Sequence, residues 1–303
     1  MSIKSAAANF LLPKNYLLTR LFYSTAYKLR NRGKIPLLVY QMGKVGSSTI
    51  AATLEGLPLN VPVFQIHSLT QASLEADERF YFGSTSSGPD HGWLRPSGWP
   101  NTVHLFTSYY LQGELAHLKS GRKWKVITLM REPVARNVSG FFESIEYRIP
   151  RFYERLAQGE LSLTELTNVF VERYDNHDVP LRWFDEEMKT TLDIDVFAQP
   201  FRHAQGYDIL ESAKADVLLI RLESLQHCYQ EAFQRFLGLE EVSLVTANDA
   251  RDKAYYPTYQ HFVQAATLPQ SYLDRMYEAK VTRHFYTPAE IESFRAKWTR
   301  RNA

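Results

Sequence analysis

A glycine-containing turn between a strand and a helix is the first feature of this sequence that could do chemistry. Apolar residues run together from Leu37 to Met42, which predicts a short buried strand, and a helix is expected from Ser47 to Leu57. The turn between them reads QMGKVGSST at 41–49. Glycines let the backbone approach a phosphate closely, a helix start offers free N–H groups, and a lysine adds positive charge. The pattern therefore predicts a phosphate-binding cradle.

The order of residues in this turn differs from the P-loop of nucleotide kinases. In that loop the lysine follows the second conserved glycine and directly precedes Ser or Thr, whereas here Lys44 comes before Gly46. A glycine-rich turn that is capped by Ser47 and binds nothing is the alternative interpretation.

A second polar motif, REPVARNVS at 131–139, directly follows the strand predicted over Trp124 to Met130. Pro133 stands where a helix can begin, because its missing N–H is not needed there. Arg136 and Ser139 are three residues apart and so share a helix face. An arginine fork beside a hydroxyl suits a second phosphate, although an arginine paired with a glutamate on a solvated helix is equally consistent with the pattern.

Together the two motifs resemble those of sulfotransferases that use 3′-phosphoadenosine 5′-phosphosulfate (PAPS). In that family Lys-x-Gly-[Ser/Thr]-[Ser/Thr] is followed by Arg-[Asp/Glu]-Pro-x-x-Arg-x-x-Ser, and here KVGSS (44–48) precedes REPVARNVS. Further segments are similar to the bacterial capsular polysaccharide synthesis branch of these enzymes: FQIHSL (64–69), NVSGFFESI (137–145), TLDIDVF (191–197), LLIRLESL (218–225), KAYYPTY (253–259) and HFYTPAEIESFRAKW (284–298). The resemblance covers most of residues 35–298, with what looks like an insertion at about 70–103.

The resemblance implies a PAPS-binding site and a role for each matching residue. Lys44 would contact the 5′-phosphate and the bridging oxygen, while Arg131 and Ser139 would hold the 3′-phosphate. Lys253, in a late basic loop, would join them. The implied cradle consists of Gly43, Lys44, Val45, Gly46, Ser47, Ser48 and Thr49. PAPS would be the co-substrate and the acceptor a saccharide hydroxyl, on a surface polysaccharide or a glycolipid.

A general base must take the proton of the acceptor hydroxyl, and histidine suits this role because its pKa lies near neutrality. His67 ends a strand expected over Val61 to Ile66 and resembles the histidine at that strand end in several carbohydrate sulfotransferases. His104 is the rival, because TVHLF also reads as a short strand. The chain has no HExxH motif or clustered Cys and His ligands, and we expect no metal.

Strands that alternate with helices predict an α/β fold, with a parallel sheet flanked by helices on both faces and a helical C-terminal region. Another buried strand is expected over Asp216 to Leu222, and a helix over Gln226 to Leu237. The resemblance implies a P-loop-like sulfotransferase fold. We expect a basic leader over 1–34 and one domain over 35–303. Four aromatic residues near the insertion could stack on sugars or serve as core anchors: Trp93, Trp99, Tyr109 and Tyr110.

Charge is distributed unevenly along the 303 residues. The first 34 carry seven basic residues and no acid, and the remainder carries 28 basic against 33 acidic residues. Leu18, Leu21, Phe22, Thr25 and Leu29 recur at helical spacing in this leader, which indicates either a membrane-surface helix or a docked helix with a solvated basic side. The net acidic remainder disfavours nucleic-acid binding. The single cysteine excludes an intrachain disulfide, and we expect a cytoplasmic protein that contacts the inner membrane face.

Two other functions fit parts of the pattern. A phosphoryl-transfer kinase could use a similar loop, but the position of Lys44 and the lack of an evident aspartate at a strand end disfavour it, with Asp216 left open as a magnesium ligand. A non-catalytic membrane-peripheral scaffold would keep the fold without its chemistry, but both phosphate motifs are intact.

Overall fold

The computed structural model describes residues 16–82, 99–247 and 250–299. A five-stranded sheet with strand order β2-β1-β3-β5-β4 forms its centre. Four strands are parallel, and β4 pairs antiparallel with β5 at the edge. The strands are β1 (Leu37–Tyr40), β2 (Val63–Ile66), β3 (Trp124–Met130), β4 (Tyr207–Glu211) and β5 (Ala215–Arg221).

Helices flank the sheet and make up most of the C-terminal region, which confirms the predicted α/β class. Those before β4 are α1 (Tyr16–Arg30), α2 (Ser47–Glu55), α3 (Gln71–Phe82), α4 (Trp99–Ala116), α5 (Pro133–Glu143), α6 (Ile145–Arg148), α7 (Phe152–Ala157), α8 (Leu163–Arg173), α9 (Val179–Trp183) and α10 (Thr190–Leu192), with a π-helical turn at Phe184–Lys189. Those after β5 are α11 (Leu225–Leu237), α12 (Tyr256–Ala265), α13 (Gln270–Tyr277), α14 (Lys280–Phe285) and α15 (Pro288–Thr299).

Strand order fixes where a ligand site can form. From β1 the chain moves outward to β2, whereas from β3 it moves to β4 and then β5 on the other side of the sheet. The connections therefore diverge between β1 and β3, and this topology predicts a crevice between the loops that follow these two strands. Such a switch point, at the carboxyl ends of the strands, is where open α/β sheets bind ligands.

Two apolar clusters support the loops beside this crevice. One contains the buried strands, as the continuous apolar runs predict. The other lies under α5, where Val138, Phe141 and Phe142 pack against helices of the C-terminal region. Asn137 in the same helix donates to the carbonyl of His177 and to Tyr272 Oη, at 3.0 and 3.2 Å. The C-terminal helices thus hold α5, the helix that carries the second motif.

The N-terminal helix docks through a different face from the one its leucines suggest. Tyr23 and Tyr27 are buried against α4, where the Tyr23 ring stacks on Phe106 with 5.4 Å between centroids. Leu21 and Leu29 instead face solvent. Aromatic rings bury more apolar area than leucine and stack on the rings of α4, so the tyrosines occupy the buried face of α1. No helix in the described part of the chain is long and apolar enough to cross a membrane.

The structure overturns one local expectation, decides a second and adds detail to a third. TVHLF lies inside α4 and is not a strand. Tyr109 and Tyr110 are buried, so they are core anchors and not a sugar platform. The start and end of the expected insertion are helical, in α3 and α4, while Trp93 and the side chain of Trp99 lie outside what the structure describes.

Candidate functional site

The loop after β1 has an unusual backbone. Gly43, Lys44 and Gly46 all have left-handed conformations, with φ of 80°, 64° and 86°. At Gly46 a Cβ would also lie 2.6 Å from Leu222 Cδ1, so a side chain there would have to displace that leucine. Lys44 holds its conformation without the freedom of glycine, which points to constraint by its neighbours.

Gly46 caps α2 without a side chain, so nothing from this residue covers the helix start. The first N–H groups of any helix lack intrahelical acceptors, and here they point out of the loop end at the switch point. The side chain of Val45 is fully buried and anchors the loop, whereas Ser48 and Thr49 are partly exposed. Ser47 is buried, and its Oγ accepts from Gln65 Nε2 at 2.9 Å. Its hydroxyl therefore belongs to the packing between α2 and β2.

The two sequence motifs meet directly. Arg131, at the end of β3, donates from Nη1 to the backbone carbonyl of Lys44 at 3.0 Å. The side chain of Arg131 is only partly buried, and no other described residue bonds its guanidinium. The remaining donors of Arg131 are thus available at the crevice, beside the loop that carries Lys44.

Arg136 does not form the exposed fork that the sequence suggests. It is 5% exposed, and it donates from Nη2 to the carbonyl of Met42 at 2.9 Å and from Nε to that of Gly43 at 3.2 Å. A further bond runs from Nη1 to the carbonyl of Asn176 at 3.2 Å. The donors of Arg136 are used to hold the β1 loop in shape, so the predicted phosphate fork of Arg136 with Ser139 is wrong.

Ser139 directly precedes the residue of α5 that lies against Lys44. The adjacent Gly140 approaches Lys44 closely, since a Cβ on it would lie 3.7 Å from Lys44 Cγ. The same Cβ would collide with Tyr174 Oη at 2.2 Å, so only glycine fits here. Ser139 is partly exposed and has no hydrogen-bond partner among the described residues, which leaves its hydroxyl open.

A carboxylate that the sequence did not indicate lies close to both Lys44 and Lys253. Glu143, at the end of α5, is 3.2 Å from Lys44 Nζ and 3.8 Å from Lys253 Nζ. It also accepts from Tyr255 Oη at 2.8 Å. Desolvation alone would raise the pKa of Glu143, but Lys44, Tyr255 and Lys253 outweigh it and lower that pKa. Burial lowers the pKa of Lys44, and the charge of Glu143 counteracts part of this effect.

His67 lies at the end of β2, at the same edge of the sheet. Its Nδ1 is 2.9 Å from both the carbonyl and the Nε2 of Gln41. In the tautomer whose Nδ1–H donates to the carbonyl, Nε2 is unprotonated, as a general base requires. Gln41 Oε1 also accepts from the N–H of Gly43, so this one side chain joins the histidine to the cradle loop.

The environment favours neutral His67. The surrounding protein lowers its pKa by desolvation, and positive charge on His104, Arg136 and Lys44 acts in the same direction. The ring itself is exposed, so water in the crevice moderates this shift. Its backbone is fixed by Trp183, whose Nε1 donates to the His67 carbonyl at 3.1 Å.

His104 lies close to His67 but on a helix. The ring centroids are 6.0 Å apart, and His104 Nδ1 is 3.2 Å from the carbonyl of Gln65. The side chain of His104 is exposed at the outer side of the pair. The structure thus brings both candidate bases to one place: His67 is linked to the cradle loop through Gln41, and His104 through Gln65, which also bonds Ser47.

Glu132, the second residue of the REP motif, shapes the helix start. Its carboxylate accepts from the N–H groups of Val134 and Ala135, both at 2.7 Å, and so caps α5. Glu223 in turn accepts from the N–H of Glu132 at 2.9 Å. Burial raises the pKa of Glu132 to about 7, and the charge of Glu223 adds to this effect.

Asp216 does not lie at this site. It is the second residue of β5, at the amino end of the strand, and it pairs with Lys123 at 2.9 Å. The crevice lies at the opposite, carboxyl edge of the sheet. The magnesium-ligand role considered for Asp216 is therefore excluded by its position.

One family model matches part of this chain. Residues 163–287 match the family described as "Putative capsular polysaccharide synthesis protein", which is less than half of the 303 residues. The matched region begins at α8 and includes Lys253 and Tyr255, while the loops that carry Lys44 and Arg131 lie before it. Neither a curated protein nor a solved structure matches the chain.

Proposed function

We propose that this protein is a sulfotransferase that transfers a sulfuryl group from PAPS to a hydroxyl of a saccharide, on a surface polysaccharide or a glycolipid. The observation that carries the proposal is the contact between the two motifs. Arg131 and Lys44 are 87 positions apart in the chain, yet Arg131 donates to the Lys44 carbonyl beside an open helix start. A donor with two separate phosphate groups needs two adjacent cationic centres of this kind.

The residues present fit such a donor. Lys44 and the N–H groups at the start of α2 would hold the 5′-phosphate side, in the cradle from Gly43 to Thr49. Arg131, with free donors, and Ser139, with an open hydroxyl, would hold the 3′-phosphate, and Lys253 would approach from the late loop. No Cβ-sized obstacle lies within 4 Å at Gly43, so the cradle is open on that side.

PAPS supplies the activated sulfuryl group, and the chemistry left to the protein is proton transfer and charge stabilisation. His67 Nε2 would take the proton from the acceptor hydroxyl, with Nδ1–H held by the Gln41 carbonyl. Lys44 would stabilise the negative charge that develops on the leaving phosphate. Preorganised donors of this kind contribute about 10²-fold or more to rate.

The family match supports a saccharide acceptor, because synthesis of a capsular polysaccharide is the process named in that description. The test is transfer of ³⁵S from labelled PAPS to a panel of surface polysaccharides and glycolipids by the wild-type protein. Lys44→Ala is the matched inactive control, and γ-³²P-ATP with magnesium tests phosphoryl transfer. Labelling with ³⁵S that disappears in Lys44→Ala supports the proposal, whereas ³²P labelling would assign the protein to the kinases.

A further inference from the structure

The outer face of α1 combines exposed leucines with positive charge. Leu29 is 72% exposed and Leu21 is 63% exposed, and these are the two most exposed large hydrophobic side chains in the described part of the chain. Thr25, between them, is exposed as well. The positions 21, 25 and 29 are four apart, so the three side chains form one ridge along the helix.

The opposite face of the helix is already used. Tyr27 packs against Tyr110 with 5.2 Å between centroids, and its hydroxyl lies 3.1 Å from Thr107 Oγ1. The guanidinium of Arg20 lies 3.6 Å above the ring of Tyr109. This docking fixes which side of α1 points away from the protein, so the leucine ridge is held outward by the fold.

Cations surround the ridge. Lys28, Arg30, Arg32 and Lys34 are exposed at the end of α1 and just after it. Arg122, from the turn before β3, donates to the carbonyl of Gly33 at 3.1 Å and adds its charge beside them. The sequence has no Asp or Glu in its first 34 residues, so no acid of that segment offsets this charge.

We propose that this face binds the surface of an anionic lipid bilayer. An amphipathic helix of this kind lies in the plane of the interface, with leucines among the acyl chains and lysines and arginines at the headgroups. Anionic headgroups match this positive charge, which a purely apolar protein surface would leave unpaired. The helix is about 22 Å long and lies on the membrane without spanning it. The proposal stands independently of the proposed sulfotransferase activity.

Vesicle cosedimentation of the full chain tests this inference. Vesicles of phosphatidylcholine with phosphatidylglycerol are compared with vesicles of phosphatidylcholine alone. We expect the wild type to bind the anionic vesicles, with affinity that falls as salt is raised, and to leave the neutral vesicles unbound. The double variant Leu21→Ser/Leu29→Ser should lose about tenfold or more in affinity, because two apolar side chains no longer enter the bilayer.

Matched variants separate this surface from general effects. Lys28→Gln/Arg32→Gln should weaken binding to anionic vesicles, whereas Arg173→Gln/Arg283→Gln, which removes two exposed charges elsewhere, should not. Val245→Ser is the control for an exposed apolar residue away from α1. Circular dichroism checks that each variant folds.

Three results would overturn the proposal. The first is a wild-type protein that fails to bind anionic vesicles. The second is a leucine variant that binds them as well as the wild type does. The third is a wild-type dimer in size-exclusion chromatography that Leu21→Ser/Leu29→Ser converts to a monomer while vesicle binding is absent. That outcome would assign the face to a second copy of the chain.

Discussion

Lys44 Nζ lies 3.2 Å from a carboxylate oxygen of Glu143, so the lysine at the centre of the candidate site is paired with an acid from the same chain. Glu143 also approaches Lys253 and accepts from Tyr255. A bound anion would compete with this carboxylate for both lysines. If the site binds phosphate groups as proposed, Glu143 should therefore limit its affinity for them.

Removing the charge of Glu143 should strengthen anion binding. Glu143→Gln keeps the size of the side chain and a hydrogen-bond acceptor for Tyr255, but it frees the charge of Lys44. We expect the Kd for 3′-phosphoadenosine 5′-phosphate (PAP) to fall several-fold, measured by calorimetry, since a nearby opposite charge no longer competes. Glu146→Gln, an exposed acid three residues further on, should leave the Kd unchanged. Equal or weaker PAP binding by Glu143→Gln would mean that Glu143 supports the site and does not compete for it.

Alanine substitutions of Arg136 and Arg131 should differ in their effects on stability and PAP binding. Arg136→Ala leaves the carbonyls of Met42, Gly43 and Asn176 without their donor in a buried place, and we expect a loss of about 3 kcal/mol in the free energy of unfolding. Arg131→Ala removes one partly exposed bond, so stability should change by about 1 kcal/mol or less while PAP affinity falls. Urea denaturation and calorimetry of both variants check this contrast. An Arg136→Ala protein as stable as the wild type would contradict the structural role.

Kinetic measurements should show which of the two histidines is the general base. His67→Ala should lower kcat by about 10²-fold with little change in PAP affinity, whereas His104→Ala should retain most of its turnover. The lowered pKa of His67 means that the neutral, basic form persists as pH falls below 6.5, so the acid limb of the wild-type rate profile should lie below that pH. The measurement is the pH profile of kcat with the acceptor found in the transfer assay. Full turnover in His67→Ala, with loss in His104→Ala, would reverse the assignment of the base.

Stability should depend on pH through Glu132. Because the folded protein raises the pKa of this acid from 4.5 to about 7, folding favours the protonated form. The stabilisation is fully present below pH 4.5 and is lost as pH rises through about 7. Between pH 5 and pH 8 the wild type should lose about 2 to 3 kcal/mol relative to Glu132→Gln, whose amide oxygen can still cap α5. Urea denaturation at both pH values measures this difference, and parallel pH dependence in the two proteins would contradict it.

Local pattern was sufficient for the strands that lie inside the sheet. Continuous apolar runs predicted β1, β3 and β5 closely, because strands covered on both faces are apolar throughout. The edge strand β4 was missed, since its sequence YDILE mixes polar and apolar residues. TVHLF was misassigned because a short apolar run does not separate strand from buried helix, and its place in α4 is set by packing against β2 and α1.

The local motifs of the candidate site were predictable from the sequence, whereas contacts between residues far apart in the chain were not. The spacing of glycines and Lys44 indicated the cradle, and Pro133 marked the start of α5. Arg136 and Ser139 share a helix face by spacing, but only the packing of Tyr174 and the β1 loop decides that the arginine is buried. Glu143 and Lys253 are separated by more than a hundred residues, so their approach depends on tertiary structure.

The most direct test of the central claim is calorimetric binding of PAP to the wild type and to Arg131→Ala, because it needs no acceptor. Adenosine 5′-monophosphate and ATP with magnesium are the controls. We predict metal-independent binding of PAP that depends on both its 3′-phosphate and Arg131. Equal affinity for adenosine 5′-monophosphate, preference for ATP with magnesium, or no binding of any nucleotide would contradict a PAPS-dependent sulfotransferase.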